Sequence, residues 1–519
     1  MFAVNYQILL GIAVYLITMV VIGLYYVRRS NTSLEDYYIA KRSFGPWVAG
    51  MSTGAADMSG WLLLGLPGVA YFTGMGEAFW TALGLFIGIC VNWAAVAKRL
   101  RSYSRVADNA ITLPEFFSKR FHDKNYYLLV IAATISLVFF SIYLGAQFIT
   151  FGKLFSYIFN VNMVTMVIIG ALIVMFYTLL GGMRAVGKTN LIQGLLMLFS
   201  LTMVLVFSFL HAGGFSGIAE NLKDFPRFTD FFGIAAPETV GGLQRTSGGA
   251  PVFGPGVSFG LLSIVSTMAW GLGYFGMPQV LTRFMAIKER SMIRPARTIS
   301  ISWYFIVLLA AVSIGLIGRA IFPAALNSAS SSENIFIILS LNLFPPLLAG
   351  VIISGILAAS MSSADSYMLI VSSSLANDFY RGVLKKDASD KHVMWVGRIT
   401  MILATIFGVV VAVSGNQSIF QVVSYAWAGL GAAFGPLILF SLFWKRTTLQ
   451  AAVAGMLTGG VMVVFWKNVI AGFGGIFAVY ELLPAFIVSC LVIVFVSLAT
   501  KKPSEEIERE FAEAKKAEV

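Results

Sequence analysis

Long apolar segments separated by short polar ones dominate the pattern along the chain. Thirteen of them reach the length of about 20 residues that a helix needs to cross the hydrocarbon core of a membrane. They lie near residues 6–27, 46–71, 75–97, 126–157, 163–183, 190–212, 256–281, 299–321, 346–379, 394–414, 418–443, 448–470 and 480–500. The pattern therefore predicts an all-α polytopic membrane protein with about 13 transmembrane helices.

The composition supports this class of protein. Hydrophobic residues make up 58% of the 519 residues and charged residues only 12%, against about 25% charged residues in soluble domains. Arg28 and Arg29 follow the first apolar segment in place of a small-residue cleavage site, so this segment is predicted to be a membrane span and not a signal peptide. Cys90 and Cys490 lie in separate apolar runs, which argues against a disulfide framework or a cysteine-ligated metal.

The basic residues fall overwhelmingly in alternate loops between the predicted spans. The positive-inside rule assigns these loops to the cytoplasm. The N-terminus is then outside and the C-terminus is cytoplasmic, as an odd number of spans requires. Six of the 36 Lys and Arg residues fall on the outer side: Lys153, Lys223, Arg227, Arg245, Arg319 and Lys467. The net charge of +12 therefore reflects membrane orientation, and no nucleic-acid partner is expected.

One carboxylate lies in the middle of the second predicted span. Asp57 stands between Ser52-Thr-Gly-Ala-Ala and Met-Ser-Gly-Trp61, and a carboxylate that faced lipid there would cost about 2.5–3.5 kcal/mol. The small residues around it weaken the helix. A break would free backbone carbonyls, which are stable at membrane depth only when something binds them. A cation is the obvious ligand, so this segment favours ion-coupled transport.

A second interrupted segment lies in the seventh predicted span, at Ser266-Thr-Met-Ala-Trp-Gly-Leu-Gly-Tyr-Phe-Gly-Met-Pro278. Gly and Pro destabilise a helix by about 1 and 3 kcal/mol per residue. The two breaks are five spans apart, and because five is odd, repeats of five helices would be inverted relative to each other. Paired interruptions at matching places in two halves indicate the binding site of a transporter, although membrane helices are also generally rich in Gly and Pro.

The ninth predicted span carries closely spaced hydroxyl residues. Ser362 and Ser366 lie four residues apart on one helix face, Ser363 flanks that face, and Ala359 lies one turn earlier. Hard cations prefer hydroxyl and carbonyl oxygens, so this helix and a broken neighbour form a candidate site for a monovalent cation. Serines also pack at helix contacts without any ligand. Asp365 has three candidate roles: it lines a water-filled cavity, relays the ion, or caps the inner end of the site.

Three stretches carry a family resemblance: Ala56-Asp-Met-Ser-Gly-Trp61, Trp270-Gly-Leu-Gly-Tyr-Phe-Gly276 and Ser424-Tyr-Ala-Trp-Ala-Gly-Leu-Gly-Ala-Ala-Phe-Gly-Pro436. They closely resemble the sodium/solute symporters, and the similarity extends across nearly the whole chain. The resemblance implies two inverted five-helix repeats with discontinuous helices in spans 2 and 7. It also implies a secondary transporter of a bacterial cytoplasmic membrane, not an enzyme. The expected partners are Na+, a small zwitterionic solute, with L-proline as the expected one, and membrane lipid; no cofactor is expected.

The resemblance also implies roles for individual residues. The sodium site would use the backbone carbonyls of Ala55, Met58 and Ala359 and the hydroxyls of Ser362 and Ser363, with Asp57 as the carboxylate needed for tight sodium binding. The residues implied near the solute are Ser59, Gly60, Trp61, Tyr143, Trp270, Tyr274 and Pro278. Arg42, Asp365 and Asn190 are candidates for coupling or gating.

Two positions depart from the family pattern. Asn190 stands where the family often carries Asp, which weakens any hypothesis of a second sodium at this point. Met277 stands where proline-carrying members have a polar amide, so the solute stays open. The alternatives are another solute, such as pantothenate, a sugar, sialic acid or a monocarboxylate, or a solute sensor that does not transport.

The predicted organisation has six parts, of which the C-terminal one is expected to be a solvated cytoplasmic helix. They are the first span and its cytoplasmic loop (1–45), the first repeat with spans 2–6 (46–212), an extracellular loop with a short helix (213–255), the second repeat with spans 7–11 (256–443), spans 12 and 13 (444–502), and a cytoplasmic tail (503–519).

Overall fold

The computed structural model describes residues 5–30, 33–415 and 418–517, most of which are helical. The helices before the long outer loop are α1 (Tyr6–Ser30), α2 (Leu34–Ile39), α3 (Pro46–Gly60), α4 (Leu66–Thr73), α5 (Met75–Val91), α6 (Ala97–Val106), α7 (Leu113–Arg120), α8 (Tyr127–Phe159), α9 (Met163–His211) and α10 (Gly214–Leu222). After the loop follow α11 (Leu261–Met268), α12 (Pro278–Ala286), α13 (Ile293–Ile321), α14 (Ala329–Ser332), α15 (Ile335–Leu343), α16 (Pro346–Ser372), α17 (Asp390–Val413), α18 (Ile419–Phe443), α19 (Leu449–Phe465), α20 (Leu482–Ala499) and α21 (Glu505–Lys516).

Short 3-10 and π-helical segments connect or extend several of these helices. The 3-10 segments are Ala40–Arg42, Ala269–Gly276, Arg290–Met292, Ala471–Phe473 and Gly475–Phe477. The π-helical segments are Trp61–Gly65, Asn92–Val96, Ser373–Leu384 and Trp466–Ile470. Both types mark places where the regular hydrogen-bond ladder changes, and two of them lie at the predicted helix breaks.

Residues 213–258 contain the predicted short helix, α10, and also strands that the sequence pattern does not predict. The strands are β1 (Gly233–Ile234), β2 (Thr239–Val240), β3 (Leu243–Gln244), β4 (Thr246–Ser247), β5 (Ala250–Pro251) and β6 (Val257–Ser258). They form three antiparallel ribbons, β1–β6, β2–β3 and β4–β5. Two-residue strands contain too few alternating positions to be visible as a period in the sequence.

Ten helical segments among the described residues are long and apolar enough to cross a membrane. They correspond to all the predicted spans except 46–71, 163–183 and 256–281. These three are also helical. The first is interrupted at Ser59 and the third by its 3-10 segment, which shortens their continuous pieces. The second is helical up to a kink at Gly182, which separates it from the following span. The structure therefore confirms a polytopic helical protein and the breaks in the second and seventh segments.

Helix α16 lies at the centre of the bundle. It packs against α1, α3, α8 and α9, and nearly all of its residues from Ala349 to Ser372 are buried. Helices α17, α19 and α20 instead carry exposed apolar faces, which include Ile406, Val461 and Phe495. Such faces are unfavourable in water and suitable for lipid. The hydroxyl-rich helix therefore occupies the interior, and the more uniformly apolar helices lie at the periphery.

The C-terminal helix α21 is not solvated on all sides. Phe511 and Ala514 are buried against α6. The guanidinium groups of Arg99 and Arg120 lie 5.1 and 5.4 Å from the Phe511 ring centre, and His122 pairs with Glu510 at 3.1 Å. The prediction of a solvated tail is therefore wrong for this face, because cation–π contacts and the buried ring hold it against the bundle.

Candidate functional site

The first helix break lies at Ser59. This residue has φ 52° and ψ −175°, a left-handed conformation that interrupts the helix between Met58 and Gly60. Side chains satisfy the backbone N–H groups released there: Gln147 Oε1 accepts from Gly60 at 3.2 Å, and Ser59 Oγ accepts from Trp61 at 3.2 Å. The broken helix that Asp57 and its small neighbours predict is thus present. The break at Ser59 lies two residues from Asp57 and two from Trp61.

The hydroxyl-rich helix meets the first broken helix just before this break. Ser362 Oγ donates to the carbonyl oxygen of Ala55 at 2.6 Å and lies 3.0 Å from that of Ala359. Ser363 Oγ lies 3.5 Å from the same Ala55 oxygen. Four of the five oxygens predicted to bind sodium therefore converge at one buried point. The fifth, the Met58 carbonyl, lies nearly one turn further along and accepts the N–H of Trp61.

This group of four oxygens has the chemistry of a site for a hard monovalent cation. Neutral carbonyl and hydroxyl oxygens suit such an ion, and rotation of the two serine hydroxyls would direct their lone pairs at it. The described residues contain no cluster of three or more His, Cys, Asp or Glu side chains that could bind a transition metal. The residues present thus fit an alkali cation.

Asp57 joins both broken helices to a third one. Its carboxylate is 2% exposed and accepts hydrogen bonds from Tyr304 Oη on α13 at 2.9 Å and from Gln279 Nε2 on α12 at 3.3 Å. These two hydrogen bonds run to α12 and α13 rather than to the serines of α16. Asp57 therefore links the first broken helix to the second. Its carboxylate follows Ala55, a member of the oxygen cluster, by two residues.

The second break separates α11 from α12. A 3-10 segment covers Ala269–Gly276, and Met277 is extended before Pro278 begins α12. Here too, side chains satisfy the backbone: Asn92 Nδ2 donates to the Tyr274 carbonyl at 2.9 Å, and Trp427 Nε1 donates to the Trp270 carbonyl at 2.9 Å. Both predicted discontinuities are therefore stabilised by polar groups from other helices.

An aromatic cluster covers the two breaks on one side. The Trp270 ring centre lies 5.4 Å from that of Trp61, and 5.3 Å from those of Phe420 and Tyr480. Tyr274 packs edge-on against Trp427 at 5.1 Å. The structure therefore brings together three of the residues predicted to contact the solute, Trp61, Trp270 and Tyr274.

The other predicted solute residues lie around this cluster. Tyr143 stacks on Tyr367 of α16, with ring centres 4.4 Å apart, and Ser59 and Gly60 form the break itself. Pro278 lies apart from the rings: it starts α12 and lines a cleft with Tyr38, Thr112, Arg283 and Ser366. Pro278 is thus placed on the path to the site rather than at the aromatic surface.

The cleft extends from the loops that carry most of the basic residues to the buried Arg283 and Ser366. At the opposite end, the buried Lys153 and Glu333 form a salt bridge, and the Glu333 carboxylate accepts the N–H groups of Ile419 and Phe420 at 3.1 Å. The aromatic cluster and this ion pair lie on one side of the two helix breaks, and the cleft, a cavity of about 20 Å³, lies on the other.

Arg283 is the centre of a buried polar network beside the serines. It is 1% exposed, and its Nη2 donates to Ser366 Oγ at 2.8 Å. In the amide orientation that satisfies both polar atoms of Asn190, the Asn190 oxygen accepts from the same Nη2 at 2.9 Å. Ser366 in turn contacts Asp365 Oδ1 at 3.0 Å. The guanidinium of Arg283 therefore places a positive charge near both Asn190 and Asp365.

Arg42 links the loops at the open end of the cleft to α12. Its guanidinium donates to the carbonyls of Met285 at 2.7 Å and Ala110 at 2.8 Å, and to the side chains of Ser104 and Asn109 at 3.1 Å. Burial lowers the pKa of Arg42 to about 10, so the group stays charged at neutral pH. It contacts the broken helix α12 only at its end, through the Met285 carbonyl.

Four important residues were missed by the reasoning from sequence: Gln279, Tyr304, Lys153 and Glu333. Gln279 follows Met277 by two residues, so a polar amide is available near the position where the family pattern expects one. Lys153 is a charged residue in an apolar run, and this was the available signal. Glu333 stands between serines and Asn334, so its surroundings in the sequence gave no such signal. Tyr304 gave no signal, because a tyrosine in an apolar helix is common.

The chain matches the model of the sodium:solute symporter family over residues 37–459. The sodium/proline symporters of Staphylococcus aureus strains JH9 and NCTC 8325 are each 39% identical over 510 residues, which cover 97% of this chain and 95% of the relative. The chain therefore belongs to the sodium:solute symporter family, whose members are transporters and not enzymes.

Two solved structures have a similar fold. One is the substrate-bound outward-open state of a Na+-coupled sialic acid symporter, with a TM-score of 0.77 and 18% identity over 97% of this chain and 100% of that chain. The other is Mhp1, a nucleobase-cation-symport-1 family transporter, in a closed conformation with bromovinylhydantoin bound, with a TM-score of 0.51 and 12% identity over 93% and 99%. At these identities the likeness concerns the fold alone.

The buried ion pair of Lys153 and Glu333 should contribute strongly to the stability of the protein. Lys153→Met leaves Glu333 buried without its cation, so the free energy of unfolding should fall by about 3–5 kcal/mol. Adding Glu333→Gln removes the buried charge and should recover part of this loss. The control is Lys223→Met, whose pair with Glu220 is largely exposed and should contribute less than about 1 kcal/mol. Denaturant unfolding in detergent measures all three, and equal losses for Lys153→Met and Lys223→Met would contradict the prediction.

Proposed function

We propose that the protein couples the inward movement of Na+ to the uptake of L-proline by alternating access. The observation that carries the proposal is the convergence of the Ala55 and Ala359 carbonyls with the Ser362 and Ser363 hydroxyls beside a helix break. The Staphylococcus aureus relatives named as sodium/proline symporters support the choice of solute, since 39% identity extends over 97% of this chain.

Sodium would bind among these four oxygens, with the Met58 carbonyl completing the site once the break adjusts. Replacement of the hydration shell of the ion needs about five or six oxygens. Asp57 would strengthen binding in two ways: its charge attracts the ion, and its bonds to Tyr304 and Gln279 hold both broken helices in place. The neighbouring guanidinium of Arg283 disfavours a second sodium between Asn190 and Asp365, so we propose one Na+ per cycle.

Proline at neutral pH is a compact zwitterion with an apolar ring. The ring faces of Trp61, Trp270 and Tyr274 suit its cationic nitrogen and its methylene groups. Its carboxylate would replace Gln147 Oε1 as the acceptor of the Gly60 N–H at the break. Tyr143 would border this site, and Pro278 the cytoplasmic path. Because the outer side is covered by the aromatic cluster, release would occur through the cleft lined by Arg283 and Ser366.

The energetics follow from charge. A neutral zwitterion carried with one Na+ moves one positive charge inward, for which a potential of 100 mV supplies about 2.3 kcal/mol. At about 1.4 kcal/mol per tenfold change, this supports roughly 50-fold accumulation before any sodium gradient is added. By linkage, Na+ and solute must raise each other's affinity by the same factor.

The membrane arrangement is part of the proposal. Thirteen spans would place the N-terminus outside and the tail in the cytoplasm, with spans 2–6 (46–212) and 7–11 (256–443) as inverted repeats and spans 12 and 13 (444–502) as flanking helices. Arg42 would act in coupling because it ties the cytoplasmic loops to the end of α12. Asn190 and Asp365 would act through the buried network around Arg283.

Uptake into proteoliposomes tests the function directly. Labelled L-proline should accumulate when Na+ is outside and should not when K+ replaces it. An inside-negative potential should raise the rate, since net charge moves inward. Unlabelled pantothenate, glucose, sialic acid and lactate should not compete; competition stronger than that of proline would assign another solute. Binding without accumulation would indicate a sensor.

Removal of the carboxylate at position 57 tests its part in sodium binding. Asp57→Ala should raise the Na+ concentration for half-maximal uptake by orders of magnitude, since both the charge and the link between helices are lost. Tyr304→Phe removes only one hydrogen bond, about 0.5–1.5 kcal/mol, and should raise it several-fold. Measurements of uptake against Na+ concentration distinguish the two, and an unchanged sodium dependence in Asp57→Ala would remove this residue from the site.

The serine pair tests the oxygen cluster itself. Ser362→Ala with Ser363→Ala should abolish the stimulation of proline binding by Na+, because two of the proposed ligands are lost. Ser354→Ala is a matched control: it lies buried on the same helix and bonds only within it, to the Gly350 carbonyl at 2.8 Å. Scintillation proximity binding with and without Na+ measures the effect. Full stimulation in the double variant would show that α16 does not ligate the ion.

A further inference from the structure

A basic pocket lies where α5 and α6 meet α13. Its lining includes Lys98, Arg290, Arg294 and Arg297 beside Trp93 and Ala94, around a cavity of about 520 Å³. Lys98 and Arg294 are exposed and the other two cations are half-buried. All the charged residues that line the cavity are basic, and Glu289 lies at its edge, where it accepts a bond from Ser291 at 3.4 Å. The pocket is therefore complementary to a compact anion.

An apolar groove lies further along the same pair of helices. It is a cavity of about 230 Å³, lined by α5 residues that include Phe79, Ala82 and Phe86 and by α13 residues that include Phe305, Leu309 and Val312, and its far end is lined by Met75, Phe231 and Leu316. Phe305 and Leu309 are 54% and 55% exposed. An open groove of this kind suits a hydrocarbon chain, and no part of it resembles a site for a zwitterionic solute.

The pocket and the near end of the groove lie along the same two packed helices, α5 and α13. On α13 the residues Arg297, Ile301, Phe305 and Leu309 follow one another at intervals of four, so each lies beside the next on the helix surface. Across the π-helical segment that joins α5 to α6, the positions from Lys98 back through Ala94 to Phe86 run along the facing helix. Twelve residues of α-helix span about 18 Å, slightly more than the roughly 15 Å of one leaflet's hydrocarbon.

We propose that the seam between α5 and α13 binds an anionic phospholipid, with the phosphate among Lys98, Arg294 and Arg297 and an acyl chain along the groove towards Leu309. The basic pocket recognises the phosphate, and the apolar groove recognises the acyl chain. A free phosphate would use the pocket alone.

The floor of the pocket connects to the second helix break. Trp93 is 1% exposed, and its Nε1 donates to Ser300 Oγ on α13 at 3.0 Å. The neighbouring Asn92 donates to the Tyr274 carbonyl at 2.9 Å. A lipid that holds α5 and α13 together thus acts on the segment that bends at the break. Its effect on transport rests on the proposed function, whereas its binding does not.

Thermal unfolding and native mass spectrometry of the full-length protein in a neutral detergent test the binding. Long-chain phosphatidylglycerol should raise the melting temperature and remain bound in the gas phase. Phosphatidylcholine with the same chains, phosphatidylglycerol with six-carbon chains, and glycerol phosphate should each do so far less. Stabilisation by glycerol phosphate equal to that by the long-chain lipid would overturn the proposal, since only the headgroup chemistry would then be recognised.

A charge variant tests the location. Lys98→Gln with Arg294→Gln and Arg297→Gln should weaken phosphatidylglycerol binding by about tenfold or more without lowering the melting temperature in detergent alone. The matched control replaces three exposed lysines of other basic loops with Gln and should bind lipid as the native chain does. These lysines are Lys124, Lys385 and Lys391. Equal binding by both triple variants would overturn the assigned site. Because the readout is binding, this result is independent of whether proline is carried.

Discussion

The serines of α16 hold the broken helix at Ser59 in the interior of the bundle, through their contacts with the Ala55 carbonyl. A helix break in the interior of a membrane protein leaves backbone groups without their usual partners, and each must be satisfied locally. Here Ser362 and Ser363 supply hydroxyls to the Ala55 carbonyl, while Gln147 and Ser59 receive the freed N–H groups. The break is therefore stabilised by polar side chains of neighbouring helices, and the oxygens among them are those that we propose for sodium.

The same principle applies to the second break and to the two ends of the molecule. Asn92 and Trp427 bind the carbonyls of the 3-10 segment, so α11 and α12 can differ in direction at little cost. Asp57 then connects both breaks through Gln279 and to α13 through Tyr304. The Lys153–Glu333 pair lies beside the first break on one side, and Arg42 binds the end of α12 on the other, so both ends of the proposed transport path are held by buried charged groups.

Much of the architecture could be predicted, because membrane insertion leaves a strong pattern in the chain. All thirteen predicted spans contain helix in the structure, and the two interruptions occur where Asp57 and the Gly-rich run with Pro278 indicated them. Four of the five oxygens proposed for sodium also meet, although the roles of these residues came from family resemblance rather than from spacing. The β-ribbons of the outer loop and the docked face of α21 could not be predicted, since very short strands and a single buried Phe511 give no clear period.

The apolar spans, the basic loops and the weak points of two helices could be predicted from the chain, because the energies of membrane insertion and of helix propensity act on consecutive residues. The side chains that satisfy those weak points became known only from the packing of the helices. Tyr304 reaches Asp57 from 247 residues away, and Glu333 reaches Lys153 across 180. Such pairs depend on how separate helices pack, and local patterns hold no record of a partner that lies close only after folding.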